Sequence, residues 1–353
     1  MHQLQNDLDH VLRHTQSIWK GVRDKTIFVT GGTGFFGKWL LHSFDYVNGS
    51  LQLNNKLIVL TRDSASFLEK NPQFKSLSNI EFLIGDVMDF DFPTGPIDYI
   101  IHAATEASEA LNQEQPMLMY DTIVEGTRRV LELGREKNVK AILHTSSGAV
   151  YGKQPPNISH ISEEFQSCPD IFEANAAYGE GKRVAEMMSS IYYSKYGLPS
   201  KIARCFAFVG PYLPLDAHFA IGNFIENVLN NKDIFVNGDG SPYRSYLYAS
   251  DLAIWLWVIL FNGVPIQPYN VGSDESITIE QLAIKIAKYN PLSTVNIKLP
   301  KSIDKKPGRY VPLVDKAKNE LGLKVNVGLE EAIAKTIAFY LCDKSVGKLS
   351  DFK

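Results

Sequence analysis

Short apolar or β-branched runs, each closed by Gly, Asp or Pro, alternate along much of this chain with longer stretches in which apolar residues recur at helical spacing. The strand-like runs fall at residues 26–30, 57–61, 80–84, 99–102, 141–146, 201–208 and 269–271, and helical period is clearest at 37–46, 126–136 and 179–196. Strands that read as continuous apolar runs are buried on both faces, and helices between them are the crossovers that parallel strands need. The pattern predicts an α/β fold built on a doubly wound parallel sheet. After Gly210 the rhythm breaks, with Pro211, Pro214, Gly238, Gly240 and Pro242 crowding a stretch that does not alternate. The uncharged run 252–261 carries Trp255 and Trp257. It is about half as long as a membrane span, so it predicts a buried helix. Thr278 and Gln281 have the spacing of a capping box that opens a further helix.

Composition narrows the class. With 353 residues, 44% hydrophobic and 21% charged, the chain is neither disordered nor fibrous and can bury a sizeable core. A net charge of -3 gives no global attraction to nucleic acid or to a membrane surface, so any anion must be held by local groups. Cys168, Cys205 and Cys342 are too few and too scattered for a disulfide framework or a zinc site, and no metal is expected. The N-terminal residues mix acids and bases with no apolar h-region, so a cytoplasmic protein is expected.

The first chemical motif is Gly31-Gly32-Thr33-Gly34-Phe35-Phe36-Gly37, placed between the first strand and the first helix. Gly31 permits the tight turn, Gly34 lets backbone N–H groups approach a pyrophosphate, and Gly37 lets helix pack on strand, with the phosphate at the positive helix end. At the end of the second strand, Thr61 and Arg62 suit the 2'-phosphate of NADP, while Asp63 suits the free ribose of NAD; Arg62 tips the choice toward NADP. Asp86, ending the third strand, is placed to meet the adenine edge or to make a plain turn.

A second constellation joins Ser146-Ser147, on the fifth strand, to Tyr178 and Lys182, which share one helix face at i and i+4. Hydride chemistry on an alcohol needs a base for the hydroxyl proton. Tyrosine becomes one only when a cation such as Lys182 stabilises its phenolate. Tyr340 and Lys344 repeat the spacing, but no serine-bearing strand precedes them, and they read as helix surface.

Together with His102-Ala103-Ala104, Val150-Tyr151-Gly152, Gly238-Asp239-Gly240 through Arg244, and Pro307-Gly308-Arg309, these motifs resemble the extended short-chain dehydrogenase/reductase family, the NAD-dependent epimerase/dehydratases of nucleotide sugars. The resemblance implies Tyr178 as catalytic base and acid, Lys182 as its electrostatic partner, and Ser147 as donor to the reacting oxygen. It implies cofactor contacts from Gly31, Thr33, Gly34, Phe35, Phe36, Gly37, Thr61, Arg62, Asp86, Val87, Ala103, Ala104, Tyr178 and Lys182. Substrate contacts are implied at Thr105, Ser147, Asn223, Arg244 and Arg309, the two arginines clamping the diphosphate of a nucleotide sugar. His218, Lys305 and Lys306 lie close by in sequence and read as surface residues. The domains expected are a Rossmann unit (25–210 and 245–295), a smaller discontinuous nucleotide-sugar unit (211–244 and 296–353) and a helical extension (1–24). A homodimer, joined by the long helices at 113–136 and 178–196, is implied as well.

Departures from the family pattern narrow the reaction. The 4,6-dehydratases of this family carry an Asp-Glu pair after the Ser/Thr, and the nucleotide-sugar decarboxylases a glutamate at the second position; here Gly148 and Ala149 stand there. Neither can move a proton, so water loss would require a carboxylate such as Glu106 or Glu180. Ala207 stands where many relatives carry a substrate-touching asparagine. What fits is a 4-epimerase working through a transient 4-keto sugar, then a 4-dehydrogenase or 4-ketoreductase. A 4,6-dehydratase, or a sensing module without catalysis, fits less well.

Overall fold

The computed structural model describes residues 4–105, 109–217, 219–301 and 306–350, the side chains of 109 and 343–350 excepted. Seven strands form the main sheet: β1 (Thr26–Thr30), β2 (Lys56–Thr61), β3 (Ile80–Ile84), β4 (Tyr99–His102), β5 (Ala141–Ser147), β6 (Ser200–Cys205) and β7 (Pro268–Val271). All neighbours are parallel and the spatial order is β7-β6-β5-β4-β1-β2-β3. The predicted class is therefore found. The chain leaves β1 toward β2 and β3, then returns to place β4 on the other side of β1, which opens a crevice at the carboxyl ends of β1 and β4. Strand 201–208 of the sequence reading is divided in two: β6 ends at Cys205, and Phe208–Val209 pairs instead with Leu247–Tyr248.

Helix Phe35–Ser50 follows the glycine turn, and helices Pro116–Glu136 and Ala177–Tyr196 pack side by side over the sheet. The run around Trp255 is a helix, Ala249–Asn262, buried on nearly every side. Such a helix needs no amphipathic pattern. Its two indoles are completely buried, but each N–H is satisfied, Trp255 by the Lys324 carbonyl at 3.1 Å and Trp257 by Ser43 Oγ at 2.9 Å. No helix among the described residues is long and apolar enough to cross a membrane.

Two packing features bear on how the chain divides. Residues 4–22 are part of the main core: Leu8, Val11, Trp19 and Val22 are buried in it. Asp7 accepts from Tyr248 Oη and Lys335 Nζ, both at 2.8 Å, while His10 meets Asp251 at 3.2 Å. The capping box of Thr278 and Gln281 forms, with both bonds at 3.1 Å. Yet the helix it opens, Ile279–Ala287, turns Leu282, Ala283 and Ile286 into a second core with Phe224, Ile225, Ile333 and Ile337. That helix, assigned from sequence to the larger unit, packs with the smaller one. A three-stranded sheet in the same region aligns Tyr243–Arg244 with Ile277–Thr278 and with Arg309–Tyr310.

Candidate active site

The glycine turn crosses the switch point directly over β4. Gly31 has φ +71°, and a Cβ there would stand 2.4 Å from the Ala103 carbonyl oxygen; a Cβ on Gly37 would stand 2.2 Å from the Gly32 carbonyl carbon. Both glycines are therefore required by the fold. Gly34 is different: it is extended (φ -78°, ψ -174°), and the nearest atom to its missing Cβ is the Gly31 carbonyl oxygen at 3.5 Å. Nothing inside the protein demands glycine there, which fits a ligand approaching from outside. Gly34 also caps helix Phe35–Ser50 without a side-chain bond to the free N–H groups of its first turn. Free N–H groups on a positive helix end suit a pyrophosphate. Thr30 Oγ1 accepts from Ala104 N–H at 3.1 Å and pairs with His102 Nδ1 at 2.8 Å, which fixes the β4 end, including Ala103 and Ala104, against this turn. Burial and the nearby Lys182 charge push the His102 pKa down to about 3, so its ring is a neutral strut.

Around the edge of the sheet, Arg62 is exposed at the end of β2. Asp63 is engaged elsewhere: its carboxylate caps helix Ser64–Lys70 by accepting from Ser66 N–H at 2.9 Å. Asp86 makes a turn, accepting from Met88 N–H at 3.0 Å, with Val87 buried beside it.

The structure brings Ser147, Tyr178 and Lys182 together. Ser147 ends β5 and its Oγ accepts from Ala149 N–H at 3.1 Å. Helix Ala177–Tyr196 lacks a cap of its own, and Asn112 Oδ1 supplies one by accepting from Tyr178 N–H at 3.1 Å. One turn on, Lys182 is 2% exposed, donating to the Thr145 carbonyl at 2.8 Å and to Thr105 Oγ1 at 3.0 Å, with its ammonium 5.9 Å from the Tyr178 ring centre. Burial pushes the Lys182 pKa down to about 8. It pushes that of Tyr178 up to about 12, partly opposed by hydrogen bonding to Ser147. A phenol in this position needs further positive charge beside it before it can act as a base near neutrality.

Close to this group lies a partly buried ion pair that sequence reasoning missed. Arg204 grips Glu186 at 2.7 and 3.0 Å, Glu186 accepts from Ser146 Oγ, and Arg204 also reaches Tyr151 Oη at 2.9 Å. The Tyr151 hydroxyl in turn donates to Asn270 Oδ1 at 2.8 Å. These residues come from five elements, so no local pattern announced the set. Glu180, offered from sequence as a carboxylate for water loss, sits two residues after Tyr178 and so points to the far side of the helix. There it pairs with Arg183 at 3.5 Å and lines a 420 Å³ cavity with Glu186 and Met187.

The substrate-side residues fare unevenly. The two arginines expected to clamp a diphosphate lie on neighbouring strands of the small sheet. The register of the small sheet sets Arg244 beside Tyr310 and Arg309 beside Tyr243, so the arginines start on opposite faces. Arg309 lies over the Tyr243 ring at 4.1 Å. The Asn223 amide, turned to satisfy both its donors, bonds the carbonyls of Leu215 and Ala217 at 2.8 and 2.7 Å and so staples its own loop. Glu106, His218 and Lys305 lie outside the described residues. Tyr340 is half-buried, its hydroxyl on the Leu213 carbonyl, and not on an open helix surface.

The model of the NAD dependent epimerase/dehydratase family matches residues 27–272. Over 309 residues the chain is 30% identical to UDP-glucuronic acid decarboxylase 6 of Arabidopsis thaliana, covering 87% of this chain and 86% of that protein. Over 339 residues it is 28% identical to a probable dTDP-glucose 4,6-dehydratase of Sinorhizobium fredii, covering 89% and 92%. A solved UDP-glucose 4-epimerase with UDP-glucose from Thermotoga maritima superposes with a TM-score of 0.75 at 22% identity, covering 90% of this chain and 99% of that one.

Proposed function

The chain belongs to the NAD-dependent epimerase/dehydratase family, and from that premise we propose that it is a nucleotide-sugar 4-epimerase. One observation carries the choice within the family: Ser147, Tyr178 and Lys182 stand together, while the residues that follow Ser147 are Gly148 and Ala149, which hold no proton. The relatives named as decarboxylases and dehydratase act on or remove groups beyond C4, and the carboxylate such steps call for is missing from these two positions. Oxidation and reduction at one carbon need only a single acid and base.

In this reading Tyr178 takes the proton of the sugar 4-hydroxyl and returns it after the ring has presented its other face. Ser147 donates to the same oxygen and keeps it at the phenol. Lys182, anchored by Thr105 and the Thr145 carbonyl, lowers the cost of the phenolate. The Gly31 to Gly37 turn, with Ala103, Ala104 and Val87, would hold the dinucleotide, whose nicotinamide would supply hydride acceptance and donation when bound. Arg244 meets the diphosphate. Met117, Leu118, Met187 and Ile191 are exposed on the two packed long helices and support a homodimer through that face.

A second reading, a 4-ketoreductase that exchanges NADP, is favoured by one observation: Arg62 is exposed at the end of β2, whereas Asp63 is committed to its helix cap. Incubation with UDP- and dTDP-sugars, with and without NADPH, separates the two. The epimerase interconverts C4 epimers with no added cofactor and no net change in absorbance at 340 nm; stoichiometric NADPH consumption would overturn it in favour of the reductase. Tyr178→Phe should retain the dinucleotide and lose most turnover.

A further inference from the structure

A second phenol stands at the same serine, and no motif pointed to it. Tyr310 occupies the short strand Arg309–Tyr310, whose register places it beside Arg244 on one face of the three-stranded sheet. Its ring packs against Phe206 with centres 4.7 Å apart. Its hydroxyl lies 2.8 Å from where residue 148 would carry a Cβ, and two Phe206 ring carbons crowd the same point at 2.8 Å. A side chain at position 148 would have to displace one of these two rings. The group on the Tyr310 hydroxyl's other side is Ser147, whose hydrogen bonding favours the Tyr310 phenolate, but burial and the neighbouring Tyr178 outweigh it and keep the phenol neutral. A neutral phenol held this way stays a hydrogen-bond donor throughout the working pH range.

We propose that Tyr310 is a specificity-determining substrate contact, its hydroxyl donating to a sugar hydroxyl next to the carbon that reacts over Ser147 and Tyr178. The placement follows from the geometry: Ser147 takes the reacting oxygen, and Tyr310, adjacent to Ser147 across Gly148, faces the neighbouring ring position. Arg244 starts on the same face of the small sheet. This inference rests on the nucleotide-sugar reading above, but not on whether the product is an epimer or a reduced sugar.

The test measures how much the sugar adds to binding. Holoenzyme is titrated calorimetrically with UDP and UDP-glucose, and with dTDP and dTDP-glucose, for wild type and Tyr310→Phe, which keeps the ring and its packing on Phe206. Losing one neutral hydrogen bond should cut the affinity gained from the sugar by about fivefold and leave affinity for the bare nucleotide unchanged. If the variant keeps the full sugar gain, or weakens nucleotide and nucleotide sugar alike, the proposal for Tyr310 is overturned. If wild type gains nothing from either sugar, the nucleotide-sugar premise itself is overturned, and that outcome is distinct from the other two.

Discussion

Lys182 is a group that the fold tolerates at a cost, and replacing it with methionine exposes that cost. Burial lowers its pKa from 10.5 to about 8, which corresponds to about 3 kcal/mol of penalty on the charged form. Below pH 8 the lysine is protonated in both the folded and the unfolded chain, so folding bears the whole penalty. Between about pH 8 and 10.5 the folded chain has released the proton while the unfolded chain still holds it, and wild-type stability rises with pH. Lys182→Met removes the charge and also the bonds to the Thr145 carbonyl and Thr105 Oγ1, at a cost of about 1–2 kcal/mol. Freed of dinucleotide, the variant should be more stable than wild type by about 1–2 kcal/mol at pH 7, and should lose that advantage by pH 10. Turnover should fall by about 10²-fold or more, because the phenolate loses its cation. Urea midpoints of both proteins at the two pH values provide the assay. A variant less stable than wild type at pH 7, or a difference that does not change between pH 7 and pH 10, would refute the claim that a strained buried ammonium is kept for chemistry.

Other perturbations follow from the same geometry. Glu186→Gln takes the charged partner from the partly buried Arg204 and should cost about 1–3 kcal/mol in thermal or chemical denaturation, whereas Glu186→Leu with Arg204→Met should recover most of it. Gly31→Ala drives a Cβ into the Ala103 carbonyl at a positive φ, and fluorescence titration should show dinucleotide affinity reduced by about tenfold or more. Arg62→Ala should weaken NADP by about tenfold and leave NAD nearly unchanged, since only the 2'-phosphate needs the guanidinium; equal affinities for NADP in variant and wild type would remove Arg62 from the cofactor site.

The sequence by itself determined the parallel sheet, the glycine turn and the meeting of Tyr178 with Lys182. Each is written in spacing over a few residues: apolar runs for β1 to β7, glycines three apart, an i and i+4 pair. Ser147 was legible because the end of a central strand is where an open sheet exposes side chains to a ligand. Tertiary structure alone decided which core helix Ile279–Ala287 joins, because an amphipathic face says that something covers it and not what. It also decided that residues 4–22 belong to the main core, through partners such as Asp7 with Tyr248 and Lys335, hundreds of positions away. Finally, it set Arg309 against Tyr243 and turned Tyr310 toward Ser147. In a two-residue strand the pairing register fixes which neighbour faces which side, and register depends on a partner strand that the local sequence does not contain.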